Sequence, residues 1–163
     1  AFIFCQMFSK TISLIFNRLP AKTVHAHCDG PCGVYDPASA RVTAEAVLSM
    51  TKKLIALVPP SSNDPAALAS YQNTFSRFVA IKEEQAQETK KELLILWTDY
   101  FKPEHLASYP DLHDTFWKAA KLCSACKVNI DQAKAEELMQ AVEKIHHMFW
   151  ASKGRSDDWV KAS

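Results

Sequence analysis

Glycine is scarce: the 163-residue chain has three, and two of them, Gly30 and Gly33, lie within four positions of each other. Sheet-rich folds and phosphate-cradling loops use more glycine at their turns, and no G-x-G-x-x-G or Walker pattern occurs. Dinucleotide and nucleotide-triphosphate chemistry are therefore poor fits. No uncharged apolar run approaches the roughly 20 residues that span a bilayer, so a soluble chain without a membrane span is expected. A dominant charge is missing too, with 19 Lys plus Arg against 18 Asp plus Glu. Nucleic-acid binders usually carry a clear basic excess, so no nucleic-acid partner is expected. Internal repeats and low-complexity tracts are absent. What is present, 48% hydrophobic and 23% charged residues, is ordinary globular composition. The length predicts one domain with a core large enough to stand without disulfides or a structural metal.

The first 26 residues differ from the rest. They carry Lys10, Arg18 and Lys22 and no acidic residue, a local charge of +3, whereas residues 27–163 sum to −2. A basic, acid-free, mildly apolar start reads as a leader. Its best apolar run, Thr11 to Phe16, is short for a secretory core and is followed at once by Asn17 and Arg18. Small residues around Val24-His25-Ala26 keep export open, and an amphipathic helix docked on the body is the other reading.

Downstream, helix signals dominate. Asp36-Pro37 reads as an acidic N-cap with proline in the first helical position. Val47, Met50, Leu54, Leu57 and Val58 follow at three- and four-residue steps until Pro59-Pro60. Asp64-Pro65 repeats the start. One stripe, Leu68, Tyr71, Phe75, Phe78 and Val79, and another, Leu93, Leu94, Trp97 and Tyr100, flank a polar Lys82–Glu92 stretch. One long helix to about Phe101, ended by Pro103, is predicted. A third helix should run from about Pro110 to Lys127. A fourth should start at Asn129 with Gln132 in capping-box spacing, bury Leu138, Val142, Ile145 and Phe149, and stop at Gly154. The predicted fold is all-α, an antiparallel four-helix bundle.

Five cysteines, Cys5, Cys28, Cys32, Cys123 and Cys126, form no even disulfide framework. The segment from His27 to Pro37 packs two thiols, an imidazole, two glycines and two prolines ahead of the first helix. Such a compact turn brings Cys28 and Cys32 near enough to share an ion, and a disulfide or a metal-free turn are the other readings. If the chain were cut before His27, its new amine, the Cys28 backbone nitrogen and the Cys28 thiolate would close two five-membered chelate rings. The Cys32 thiolate would complete an N₂S₂ square, with the His27 imidazole able to add an axial bond. A tetragonal field suits Ni(II) or Cu(II) rather than Zn(II), and strong thiolate and amidate donors stabilise a higher oxidation state.

These residues, His27-Cys28-Asp29-x-Pro31-Cys32-Gly33-x-Tyr35-Asp36-Pro37, resemble the N-terminal nickel hook of the nickel-containing superoxide dismutases. The resemblance continues through Leu96–Pro103 and Tyr109–His113 and covers most of residues 27–150. It implies that residues 1–26 are a propeptide cut by a processing protease between Ala26 and His27, and that residues 27–163 form a bundle assembled as a homohexamer. It further implies one nickel ion per chain, bound by His27, Cys28 and Cys32, and disproportionation of superoxide by Ni(II)/Ni(III) cycling. Tyr35 is expected over the open axial side, Asp29 setting the loop, Tyr100 behind Tyr35, and Lys102 drawing in the anion. Each also has a bland reading as a packed tyrosine, a turn aspartate or a surface lysine.

One departure stands out. Members of that family pair a Glu with an Arg to hydrogen-bond the hook histidine, and the corresponding positions here are Thr43 and Gln85. A shifted redox potential with retained turnover is expected. An uncut chain has an amide at His27, so no assembled site is expected before cleavage. The competing reading is a helical binding or structural module in which Cys28, Cys32, Cys123 and Cys126 hold zinc; otherwise Cys123 and Cys126 are core. A thiol-redox protein lacks the strand–helix context. His146 and His147 are expected on a surface or interface, and His105 and His113 fit no ligand pattern. Reduced thiolates favour a cytoplasmic location, with export open.

Overall fold

Acidic residues and prolines start the helices close to where the sequence marks them. The computed structural model describes residues 33–162, and these form four α-helices: α1 (Ala38–Ala56), α2 (Pro65–Ile95), α3 (Leu112–Val128) and α4 (Gln132–Ser152). A π-helical turn, Leu96–Tyr100, continues α2, and a 3₁₀ turn, Pro103–Ala107, leads towards α3. At α2 the Asp64 carboxylate accepts from the Ala67 N–H at 3.0 Å, with Pro65 in the first turn. At α1 the helix begins one residue later than expected, yet the Asp36 carboxylate still accepts from the Ala38 N–H at 2.8 Å. The fourth start is a correction. The cap is Asp131, which accepts from the Lys134 N–H at 3.1 Å, and Asn129 instead closes α3. The third helix likewise begins at Leu112, two residues after Pro110. Gly154 takes φ +69° just past α4, where its N–H and that of Arg155 reach back to Ala151 and Trp150.

Successive helices pack side by side, α1 on α2, α2 on α3, α3 on α4, and α4 closes on α1. The result is the expected four-helix bundle, and α2 and α3 are antiparallel: Lys82 meets Cys126, Lys90 meets Ser124, and Trp97 meets Phe116. Its core includes Val47, Leu93, Phe116, Cys123, Leu138 and Phe149, all essentially solvent-free.

The stripe at the start of α2 does not join that core. Leu68 and Phe75 are exposed, and no residue from Pro65 to Ile81 is buried. The cause is length. α3 ends level with Lys82, so the first half of α2 has no α3 beside it. The stretch expected to be polar contributes the buried residues instead: Lys82, Ala86 and Thr89. Lys82 is tolerated at 1% exposure because its ammonium donates to the carbonyls of Cys126, Lys127 (2.9 Å) and Asn129 (3.1 Å) at the end of α3.

Candidate metal centre

The π turn decides where Tyr100 sits. The Phe101 N–H donates to the Leu96 carbonyl five residues back at 3.0 Å, so the ladder gains one residue per turn just before Pro103 ends it. The Tyr100 ring then lies against Phe149 (centroids 4.5 Å apart), edge-on to Phe101 (5.0 Å) and stacked on His105 (5.8 Å). Its hydroxyl is 2.6 Å from the Ser152 Oγ, and the Lys153 ammonium stands 5.4 Å over the ring.

Tyr35 joins this group from the other end of the chain. It is half-buried ahead of α1, its ring 5.5 Å from that of Tyr100 and tilted by 56°. Gly33, at φ +65°, turns the backbone two residues earlier, a conformation that a side chain would strain. Lys102 lies exposed on the surface two residues past Tyr100, and its backbone N–H donates to the His105 Nδ1 at 2.9 Å. Of the sequence-predicted residues, Tyr35 and Tyr100 are therefore in contact and Lys102 is close by in the chain. His27, Cys28, Asp29 and Cys32 lie outside the described residues, as does the expected unassembled hook. Sequence reading missed Ser152, Lys153 and His105 as neighbours of Tyr100. No spacing signal points to them, because helix α4 and the 3₁₀ turn meet Tyr100 only in the folded chain.

Thr43 and Gln85 share one groove between α1 and α2, lined also by Val42, Glu88 and Glu92. The Thr43 hydroxyl donates back to its own helix (Ser39 O at 3.0 Å, Ala40 O at 3.1 Å) and accepts from the Thr89 hydroxyl at 2.9 Å. The remaining histidines have structural partners. His113 accepts from the Trp97 indole N–H at 2.8 Å. His147 is exposed, as expected, whereas His146 is buried: the segment after α4 folds back over it, with the Asp157 carbonyl 3.1 Å from Nε2 and Trp159 edge-on at 5.3 Å.

Cys123 and Cys126 are core residues, 0% and 1% exposed. Burial pushes their thiols up to about 12 and about 11 respectively, the reverse of what a metal-binding thiolate needs. Among the described residues no group of three or more His, Cys, Asp or Glu side chains is placed to hold a metal ion. The four-cysteine zinc reading therefore finds no support.

Comparison with known proteins agrees with the family resemblance and the bundle. The model of the family described as nickel-containing superoxide dismutase matches residues 22–153. The chain belongs to the nickel-containing superoxide dismutase family. Superoxide dismutase [Ni] of Streptomyces seoulensis is 40% identical over 134 residues, which cover 82% of this chain and 93% of that protein. The enzyme of the same name from Streptomyces coelicolor is 39% identical over equal shares. Among solved structures, a Ni-containing superoxide dismutase after partial X-ray-induced reduction matches at TM-score 0.66 and 40% identity. A native nickel superoxide dismutase matches at 0.65 and 38%; each comparison covers 78% of this chain and 99% of the other.

Family membership makes nickel the metal against which the donors are tested, and their chemistry fits. Two thiolates four residues apart, Cys28 and Cys32, with a histidine directly ahead offer soft and strongly donating ligands in a chelating run. The buried thiols of α3 offer none of this.

Proposed function

We propose that the chain, cut before His27, disproportionates superoxide, 2 O₂•⁻ + 2 H⁺ → O₂ + H₂O₂, at one nickel ion held by His27, Cys28 and Cys32. The observation that carries this reading is the family match across residues 22–153, inside which the complete hook lies. Nickel held there supplies the one-electron couple that alternately oxidises and reduces the substrate. The protein's own residues manage access. Lys102, exposed beside the aromatic group, lends positive charge that draws an anion towards the site. Tyr35 limits what approaches and offers its hydroxyl to water or substrate. Tyr100 supports the Tyr35 ring from behind through their contact at 5.5 Å. Asp29 helps set the loop through backbone hydrogen bonds.

Removal of residues 1–26 by a processing protease belongs to this reading, since only a free His27 amine can close the first chelate ring. Assembly as a homohexamer and a cytoplasmic home, where thiols stay reduced, complete it. Elemental analysis of protein beginning at His27 tests the proposal. About one nickel per chain, lost in Cys28→Ser or Cys32→Ser and kept in Cys123→Ser, is expected. Zinc in place of nickel, lost in Cys123→Ser, would overturn it.

A further inference from the structure

Ser152 stands at the last turn of α4 with two oxygen neighbours. Its hydroxyl donates to the Phe149 carbonyl at 2.7 Å and lies 2.6 Å from the Tyr100 Oη. A serine hydroxyl has one proton and two lone pairs, a phenol one proton. The helix end decides how these are used. In an uninterrupted helix the Lys153 N–H would serve the Phe149 carbonyl, but here it donates to Trp150 at 3.1 Å. The Ser152 hydroxyl takes its place, and its single proton is spent. Between Ser152 and Tyr100 the serine oxygen must therefore accept and the phenol must donate.

We infer that Ser152 is a positioning residue that holds the Tyr100 phenol as a committed donor, so that Tyr100 offers incoming molecules lone pairs and no proton. The surrounding contacts make this stable: Phe149, Phe101 and His105 fix the ring, and the Lys153 ammonium covers it. The inference deepens the proposed function and rests on it for its consequence. Each hydrogen peroxide formed takes up two protons, and Tyr100 is not their source while the bond to Ser152 holds.

Threonine and valine at position 152 have the same shape and differ in the hydroxyl, so the pair separates packing from hydrogen bonding. Hydroxyl exchange in the full chain, labelled at tyrosine ¹³Cζ and observed by NMR in mixed H₂O/D₂O, is the readout, with Tyr71 and Tyr109 as internal references. In wild type and Ser152→Thr the Tyr100 hydroxyl should exchange about tenfold more slowly than in Ser152→Val, the scale of one lost hydrogen bond. Equal rates in the threonine and valine variants would overturn the inference. If valine disrupts the helix end, as circular dichroism would show, Ser152→Ala takes its place with the same expectation and the same overturning result. The measurement needs no nickel, so it separates failure of this inference from failure of nickel binding by the hook.

Discussion

Single side chains here sort by what burial does to their protons. Cys123 and Cys126 lie one turn apart on α3, and removal from water disfavours their thiolates. Folded protein should resist alkylation by iodoacetamide at both positions at pH 8 and react only on denaturation, as peptide mass mapping would report; rapid native labelling would contradict it. The same burial makes stability depend on pH. The folded thiols ionise at about 12 and about 11 against an ordinary value near 9, so above pH 9 the unfolded chain sheds protons that the folded one keeps. The stabilising contribution is whole below pH 9 and falls as pH rises towards 12. Denaturant titrations should show that decline, and Cys123→Ala with Cys126→Ala should flatten it at the cost of some packing. Thr43 and Gln85 carry the other residue-scale prediction. With the Thr43 hydroxyl engaged by its own helix and by Thr89, no formal charge stands at either position. Thr43→Glu with Gln85→Arg should move the midpoint potential of the nickel-loaded protein and its rate; unchanged values would show that this groove does not tune the site.

Elements are held by contacts that no propensity describes. Lys82 reaches from the middle of α2 to the last carbonyls of α3, doing with an ammonium what a C-terminal cap does with a backbone turn. Burial lowers its pKa, so the site holds a cation at a desolvation cost that the three carbonyls offset. Lys82→Met keeps the stem and strands those carbonyls. It should destabilise the fold by about 2–4 kcal/mol in urea titrations, and a loss below about 0.5 kcal/mol would mean that water replaces the ammonium freely. The π turn works at the same scale. One added residue between Leu96 and Phe101 turns Tyr100 onto Phe149 and towards Tyr35. The caps at Asp64 and Gly154 were legible because they act within four residues. The Asp131 cap, displaced from the expected Asn129, and the π turn were not, since neighbouring helices select among local options of similar energy.

At the scale of the whole chain, the segment after α4 lies beyond residue 153, where the family match ends. It folds back across the bundle: Trp159 packs on the core beside His146, and the Ala162 N–H donates to the Glu45 carboxylate of α1 at 3.0 Å. Both ends of this strap thus bear on the α1–α4 seam. Truncation after Ser156 should uncover His146 and cost about 2 kcal/mol, the burial of one large aromatic side chain. Thermal melts should fall by several degrees while the helix content by circular dichroism stays unchanged.

The amino-acid sequence by itself determined the helical class, the helix starts at Asp36 and Asp64, and the breaks at proline and glycine. Each rests on neighbours within a few residues or on the chemistry of side chains adjacent in the chain. Only the tertiary structure decided that the first half of α2 stays uncovered, that a lysine rather than a leucine is buried where α3 ends, and that the Ser152 and Tyr100 hydroxyls meet. Those outcomes depend on where separate helices stop relative to one another, because an unsatisfied carbonyl or an exposed apolar face finds its partner across the bundle and not along the chain.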